Sequence, residues 1–548
     1  LLHGALARAA RPDDALAPSL HAALDDAMEA LAVDEPESHA RHALGAGRTA
    51  RAGELFERAA HRAHDALAFE HAAALAEEAL ACSPERARVL HELRGRALAA
   101  AGRSAEAALA YEHALDGRLV DPSVPETVEL ARRRAEQWLH AGRMAEGYVA
   151  LEELLRAVGL ALPSPRLGVA RLVGHQLRMR WRLPRHRGED PGLDRLRLDV
   201  CHSVGVALTN VDSFRGASFV LRAVWMAERA DVERFARSLA FVAAYSCNGG
   251  RRTATLATRL IEGAAAVAHD PFASAMVEAA RCLLAFHAGR YDESLARATE
   301  IEARFSAIAG AVRERVTARI YRCASLAMLG EWEALEEARA QLRRDGEARG
   351  DRFALVNVGS GPLNVGSLAR GEPSRARDEA EQSFAQWTDV AITVQHAFDL
   401  LAQARIDLYE GDAERAIARL DERVPTIRRA FLFRMPFVAA HLVELRARAE
   451  LVRPTVDERL LRRAIVALRR ERATWIDPMA DVIEAGLRRR RGETETANEL
   501  FARAISGYAA HGMAGHVEAV EVASGAERTT RRVADPEAFA RALALSRT

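Results

Sequence analysis

The stretch "RFALVNVGSGPLNVGSLARGEP" (352–373) sets Gly359, Gly361, Gly366 and Gly371 among small and polar residues. Such a composition can build a phosphate-cradling loop, because missing Cβ atoms let backbone N–H groups approach an anion. Two features of the chain oppose that chemistry. A phosphate loop follows a strand, and no alternating β-branched run precedes this stretch. The sequence also contains no lysine, so all 77 Lys+Arg residues are arginine. A Walker A loop, the phosphate-pairing lysine of a protein kinase and a Schiff-base amine are therefore all excluded within these residues. Read as scaffold instead, the stretch is a helix that Pro362 should kink, freeing a backbone carbonyl. A bend there would open a pocket, which makes Asn357, Pro362 and Asn364 the candidate effector or partner surface.

The histidines offer two i, i+3 pairs, His39/His42 and His61/His64, with His71 nearby. Zinc needs three or four ligands with ordered second partners, and H-E-x-x-H does not occur, so no metal site is expected. The segment "PRLGVARLVGHQLRMRWRLPRHRG" (165–188) carries Arg171, Arg178, Arg180 and Arg182, with Arg166, Arg185 and Arg187, and no acid. It is a candidate basic contact for phosphates, or else a linking helix whose arginines pair with neighbouring acids. Because the formal net charge is zero, no global field recruits nucleic acid or a membrane, and neither is expected as a partner. Five scattered cysteines without a C-x-x-C pair read as reduced, buried thiols of a cytoplasmic protein. No nucleophile elbow, kinase motif or Cys/His cluster appears, so no catalytic residue and no cofactor is expected.

The elements that carry these residues follow from composition and repetition. Apolar residues make up 49% and aromatics only 5% of the 548 residues, an Ala-, Leu-, Arg- and Glu-rich mixture that favours helix throughout. The phrase "AAAGRSAEAALAYEHAL" (99–115) turns at Gly102, and its Ala107, Tyr111 and Ala114 share one helix face. Similar phrases turn at Gly142, Gly289, Gly330, Gly371, Gly411 and Gly492. Gly102 to Gly142 is 40 residues, Gly289 to Gly330 and Gly330 to Gly371 are 41, Gly371 to Gly411 is 40, and Gly411 to Gly492 is 81. The last interval is two periods with a turn glycine missing near Val452, and 40 residues before Gly289 lies Gly249. Small residues five or six positions on (Ala107, Ala254, Ser294, Ala376, Ala416, Ala497) suit close helix packing. A lone hairpin cannot bury its apolar face, so the units should stack, each touching only its neighbours. The expected fold is all-α, an alpha-solenoid with a period of about 40 residues.

These residues resemble tetratricopeptide (TPR) repeats, most clearly at 88–115 with Gly95, Gly102, Ala107, Tyr111 and Ala114, and in Ala72, Ala76, Ala79 and Pro84 before it. That resemblance implies a right-handed superhelix. Residues 20–80 look like the junction after the winged helix of bacterial STAND ATPases. With 138–163, the Arg-rich segment, 212–228 and 395–416 in order, the chain resembles the C-terminal TPR region of large bacterial serine/threonine kinases fused to such an ATPase. The opening "LLHGALARAARPDD", with neither initiator Met nor signal pattern, reads as the cut end of a longer polypeptide. The expected organisation is a helical segment at 1–48, TPR-like repeats at 49–160, an Arg-rich linking segment at 161–200, further repeats at 201–525 and a cap at 526–548. The resemblance implies a non-enzymatic interaction and sensing scaffold, with a protein or peptide on its concave face, a small effector or another copy of itself as partner. The alternatives are a kinase or ATPase through further domains, and a transcription-regulator sensor domain.

Overall fold

Helix formers fill every periodic segment, and a glycine or proline punctuates nearly every junction; the chain folds accordingly. The computed structural model describes residues 17–117, 120–209, 212–385, 387 and 391–545, without the side chains of Pro165, Arg180 and Ser213. Among the described residues there are 28 α-helices and no strand. They divide into two units, Leu1–Leu160 and Ala161–Thr548.

The first unit contains α1 (Ala17–Ala30), α2 (Pro36–Gly45), α3 (Thr49–Asp65), α4 (Phe69–Cys82), α5 (Ala87–Ala101), α6 (Ser104–Leu115), α7 (Pro125–His140) and α8 (Met144–Ala157). Each packs on the next as a run of hairpins. The expected inward face of α6 is buried, with Ala107 at 0%, Tyr111 at 2% and Ala114 at 1% exposure. Gly95 has no side chain because the Tyr111 ring occupies that space: a Cβ there would lie 2.8 Å from the ring. The expected turn glycines, Gly102 and Gly142 here and Gly289, Gly330, Gly371, Gly411 and Gly492 beyond, all have φ between +75° and +83°. At Gly102 the helix closes in the Schellman manner, Arg103 N donating to Leu98 O at 2.9 Å.

The second unit continues with α9 (Pro165–Trp181), α10 (Arg195–Thr209), α11 (Ser213–Ala227), α12 (Val232–Cys247), α13 (Arg251–Ala265), α14 (Pro271–His287), α15 (Tyr291–Ser306), α16 (Val312–Leu329) and α17 (Trp332–Arg349). There follow α18 (Arg352–Gly359), α19 (Val365–Ala369), α20 (Pro373–Ala385), α21 (Val394–Tyr409), α22 (Ala413–Arg429), α23 (Pro436–Leu451), α24 (Glu458–Arg470), α25 (Asp477–Arg490), α26 (Thr494–Ala509), α27 (Ala514–Ser524) and α28 (Pro536–Leu543). The turn without glycine is real, since α23 ends at Leu451 and the chain reverses through 452–457. One register needs correction. Gly250, not Gly249, takes a positive φ, +55°, and Ala257, rather than Ala254, is buried.

A second correction concerns reach. Repeats in this unit do not touch only their neighbours. Arg251 Nη1 donates to Arg472 O at 2.8 Å and Arg252 Nη2 to Glu471 Oε1 at 2.6 Å. Trp475 Nε1 donates to His287 O at 3.2 Å, and His511 Nδ1 meets Gly289 O at 2.8 Å. The turns at Gly250, Gly289 and Gly330 thus seat on the hairpins after Glu471. The large aromatic residues sit at these contacts: Trp475 is 2% exposed, and Gly515 admits Trp332 so closely that a Cβ would lie 2.4 Å from its ring.

Candidate functional site

The glycine-rich stretch is not one bent helix but two, α18 and α19, separated by a turn at 360–364. Proline explains the break. In a continuous helix the N–H of residue 362 would bond to Val358 O, and Pro362 has none. Arg339 of α17 supplies the missing donors, Nη2 at 3.1 Å and Nε at 3.3 Å from Val358 O. Asn364 Nδ2 likewise reaches Gly359 O at 3.1 Å and Ala376 O at 2.9 Å. Gly361 takes φ +63°, and its N–H donates to Phe398 O at 2.9 Å. The stretch is buried and the carbonyls of Val358 and Gly359 at the break are paired, so the turn is a locked corner rather than a loose loop.

That corner forms part of the wall of a cavity of about 440 Å³ inside the second unit. Helices from α9 to α23 contribute to its lining, which includes Asn357 and Pro362 but not Asn364. Its wall is largely apolar and rich in rings, among them Phe241, Phe286, Phe305, Phe353, Phe398 and Phe437, with Tyr245 and Tyr321. Several rings hold one another. Phe286 packs edge-on to Tyr321 at 5.2 Å between centroids and tilted to Phe437 at 5.5 Å. Edge-to-face pairs like the first add about 0.5–1.5 kcal/mol beyond area burial. Residues far apart in sequence meet here because the unit folds back on itself.

Polar and charged side chains interrupt the apolar wall at many points, Asn357, Gln395 and Arg313 among them. Asn357 is 5% exposed and turns its amide nitrogen onto Phe353 O at 2.7 Å. Gln395 is 2% exposed, and its Oε1 has no partner. Arg313, the second residue of α16, stacks with its Cζ 3.5 Å from the Phe353 ring centroid. Burial lowers its pKa, against the opposing pull of Asp351 and Glu314. Sequence reasoning missed Arg313; the available signal was a cation at a helix start, where acids are favoured.

His287 lines the same cavity, and burial holds its imidazole at about 4 instead of 6.5. His441, beyond Phe437, is held at about 3, mainly by burial with Arg405 adding. The folded state keeps both neutral where the unfolded chain binds protons. Stability should therefore be full above pH about 6.5 and fall on acidification by about 1.4 kcal/mol per pH unit for each histidine. Urea unfolding from pH 7 to 5 should show this slope, reduced in His287→Gln. An unchanged slope in that variant would remove His287 as a contributor.

The other candidate residues are bound up in structure or stand apart. Arg178 stacks 3.8 Å over the Trp225 ring, and Arg182 Nη2 donates to both Glu228 oxygens at 2.5 Å. Arg187 Nε lies 3.6 Å from Glu228. Arg171 is exposed, and the side chain of Arg180 lies outside the described residues. In the first unit His39 pairs with Asp25 at 2.7 Å and His71 with Glu37 at 2.7 Å, while His42 meets His21 at 2.9 Å. No group of three or more potential metal ligands occurs among the described residues. All five cysteines are free, four of them buried, and burial raises the Cys282 thiol to about 11, so it is no thiolate at neutral pH. No helix among the described residues is long and apolar enough to cross a membrane.

Fold and cavity together define the class: an α-solenoid of helical hairpins, TPR-like in its turns and small-residue faces, with an apolar chamber in its second unit. No protein-family model matches the sequence, and no curated protein matches it. Among solved structures the chain is similar to the crystal structure of yeast Tom70, at 12% identity and a TM-score of 0.29, with 83% of this chain and 91% of that chain covered.

Proposed function

We propose that this chain is a sensing and interaction scaffold whose second unit binds a small, largely apolar effector. The observation that carries the reading is the cavity of about 440 Å³ with its largely apolar, ring-rich wall, a size and lining typical of small-molecule sites. Effector binding would tighten packing between hairpins that meet only through tertiary contacts, and so alter the surfaces offered to a protein partner. Attachment to a kinase and STAND-type ATPase is supported by the order of resembling sequence segments. In that setting the module would regulate catalytic domains elsewhere in the polypeptide, itself lacking the lysine they require.

Nile red, a neutral apolar dye, tests the cavity directly. Saturable fluorescence enhancement is expected with the purified chain. Ala279→Trp, which fills the lining of α14, should weaken it at least about tenfold while circular dichroism is unchanged. No saturable binding, or binding indifferent to Ala279→Trp, would overturn the reading.

A further inference from the structure

The charges in this cavity indicate the chemistry of its ligand, an inference that rests on the effector reading above. Arg313 lines the cavity with its side chain only 9% exposed, and its Nε and Nη1 have no hydrogen-bond partner. The nearest carboxylate oxygen in an ion pair, Asp351 Oδ1, stands 4.0 Å away. That oxygen already accepts from Ala354 N at 3.0 Å as the cap of α18. Phe353 covers one face of the guanidinium at 3.5 Å, leaving its edge for hydrogen bonding. The start of α16 at Val312 adds the positive end of its peptide dipoles. Arg434, exposed on the same cavity, forms no ion pair among the described residues.

A buried cation without a hydrogen-bonded counterion is costly, and a planar carboxylate repays it with two parallel N–H···O bonds. Glu314, which also lines the cavity, opposes a second negative charge. The phenylalanines and aliphatic side chains of the wall cover a hydrocarbon well. We propose that the cavity takes an amphipathic monocarboxylate, its carboxylate on Arg313 and its aliphatic or aromatic body against the phenylalanine wall. The Gln395 amide, whose oxygen and nitrogen exchange by a half-turn, can meet the same head group as donor or acceptor.

Calorimetry with octanoate and octan-1-ol at pH 7.5, both below self-association, compares one chain with and without the charge. Octanoate should bind at least about tenfold more tightly. Arg313→Met should abolish that preference, and Arg313→Lys should keep part of it. Equal or tighter binding of octanol, or a preference that survives Arg313→Met, would overturn the assignment, as would no binding of either by a chain that binds Nile red. Those results leave the effector reading in place; failure of Nile red itself removes it. The comparison on the unmodified chain holds even if a variant does not fold.

Discussion

Valine in place of Gly359 is expected to destabilise the second unit by about 3 kcal/mol and to disrupt the cavity wall with it. A Cβ at this position would lie 2.0 Å from Ser383 Oγ and 2.5 Å from Glu379 O. The hydroxyl can rotate away; the carbonyl belongs to the backbone of α20 and cannot move without the helix. Gly411→Ala is the fitting control, since φ there is +83° and nothing lies within 4 Å of the added Cβ. It should cost only the left-handed conformation, about 1–2 kcal/mol. Hydrogen exchange over 352–385 should accelerate strongly in Gly359→Val and hardly in Gly411→Ala, and Nile red binding should fall in the first alone. Equal protection in the two variants would show that α18 and α20 do not approach as closely as described.

Arg339→Met should be comparably severe, at about 3–5 kcal/mol. This side chain is 2% exposed and serves both halves of the broken helix. It donates to Val358 O, to Ser367 Oγ at 3.3 Å, to Glu336, and to Glu379 Oε2 at 2.6 Å. Methionine would fill the volume but orphan the carbonyl that Pro362 already leaves without its helical donor. Burial alone would raise the Glu379 carboxyl; Arg339 and Arg343 outweigh it and hold it at about 2. Its stabilising effect is thus complete above the ordinary 4.5 and lost as pH falls toward 2. The acid limb of stability should therefore be shallower in Arg339→Met. Arg339→Met/Glu379→Met should recover part of the loss, because removing both partners leaves no unpaired buried charge. Urea midpoints at pH 7 and pH 4 measure both effects, and a single variant as stable as the parent would refute the stapling role.

Much of this protein is legible from short-range pattern. Each hairpin is encoded within about 40 residues: apolar spacing selects the inward face, and turn glycines such as Gly102 and Gly371 mark where the chain reverses. Pro362 likewise announced a disturbed helix, because the missing N–H is a property of one residue. A bend and a break could not be told apart, since that depends on whether other groups will bond the freed carbonyls. The donors are Asn364, close by, and Arg339, which lies 19 residues before Val358 O. The turn in "NGG" is one residue later than the spacing predicts for a similar reason: either glycine can take the positive φ, and it is at Gly250 that a Cβ would lie 3.2 Å from Pro436.

Composition and periodicity dictate the helices, their hairpin pairing and the absence of lysine-dependent chemistry within these residues, all local or compositional properties. Long-range packing, in contrast, makes the second unit fold back on itself, seating Trp475 on His287 O across 188 residues of chain. The same unit holds the cavity, lined by residues from Leu172 to Val438, in which Nε and Nη1 of Arg313 have no hydrogen-bond partner. No periodicity encodes such a meeting, because a helix face looks the same whether it packs on the next repeat or on one much further along. The glycine-rich stretch shows both sides: its residues required a broken helix, and the fold made that break part of a cavity wall.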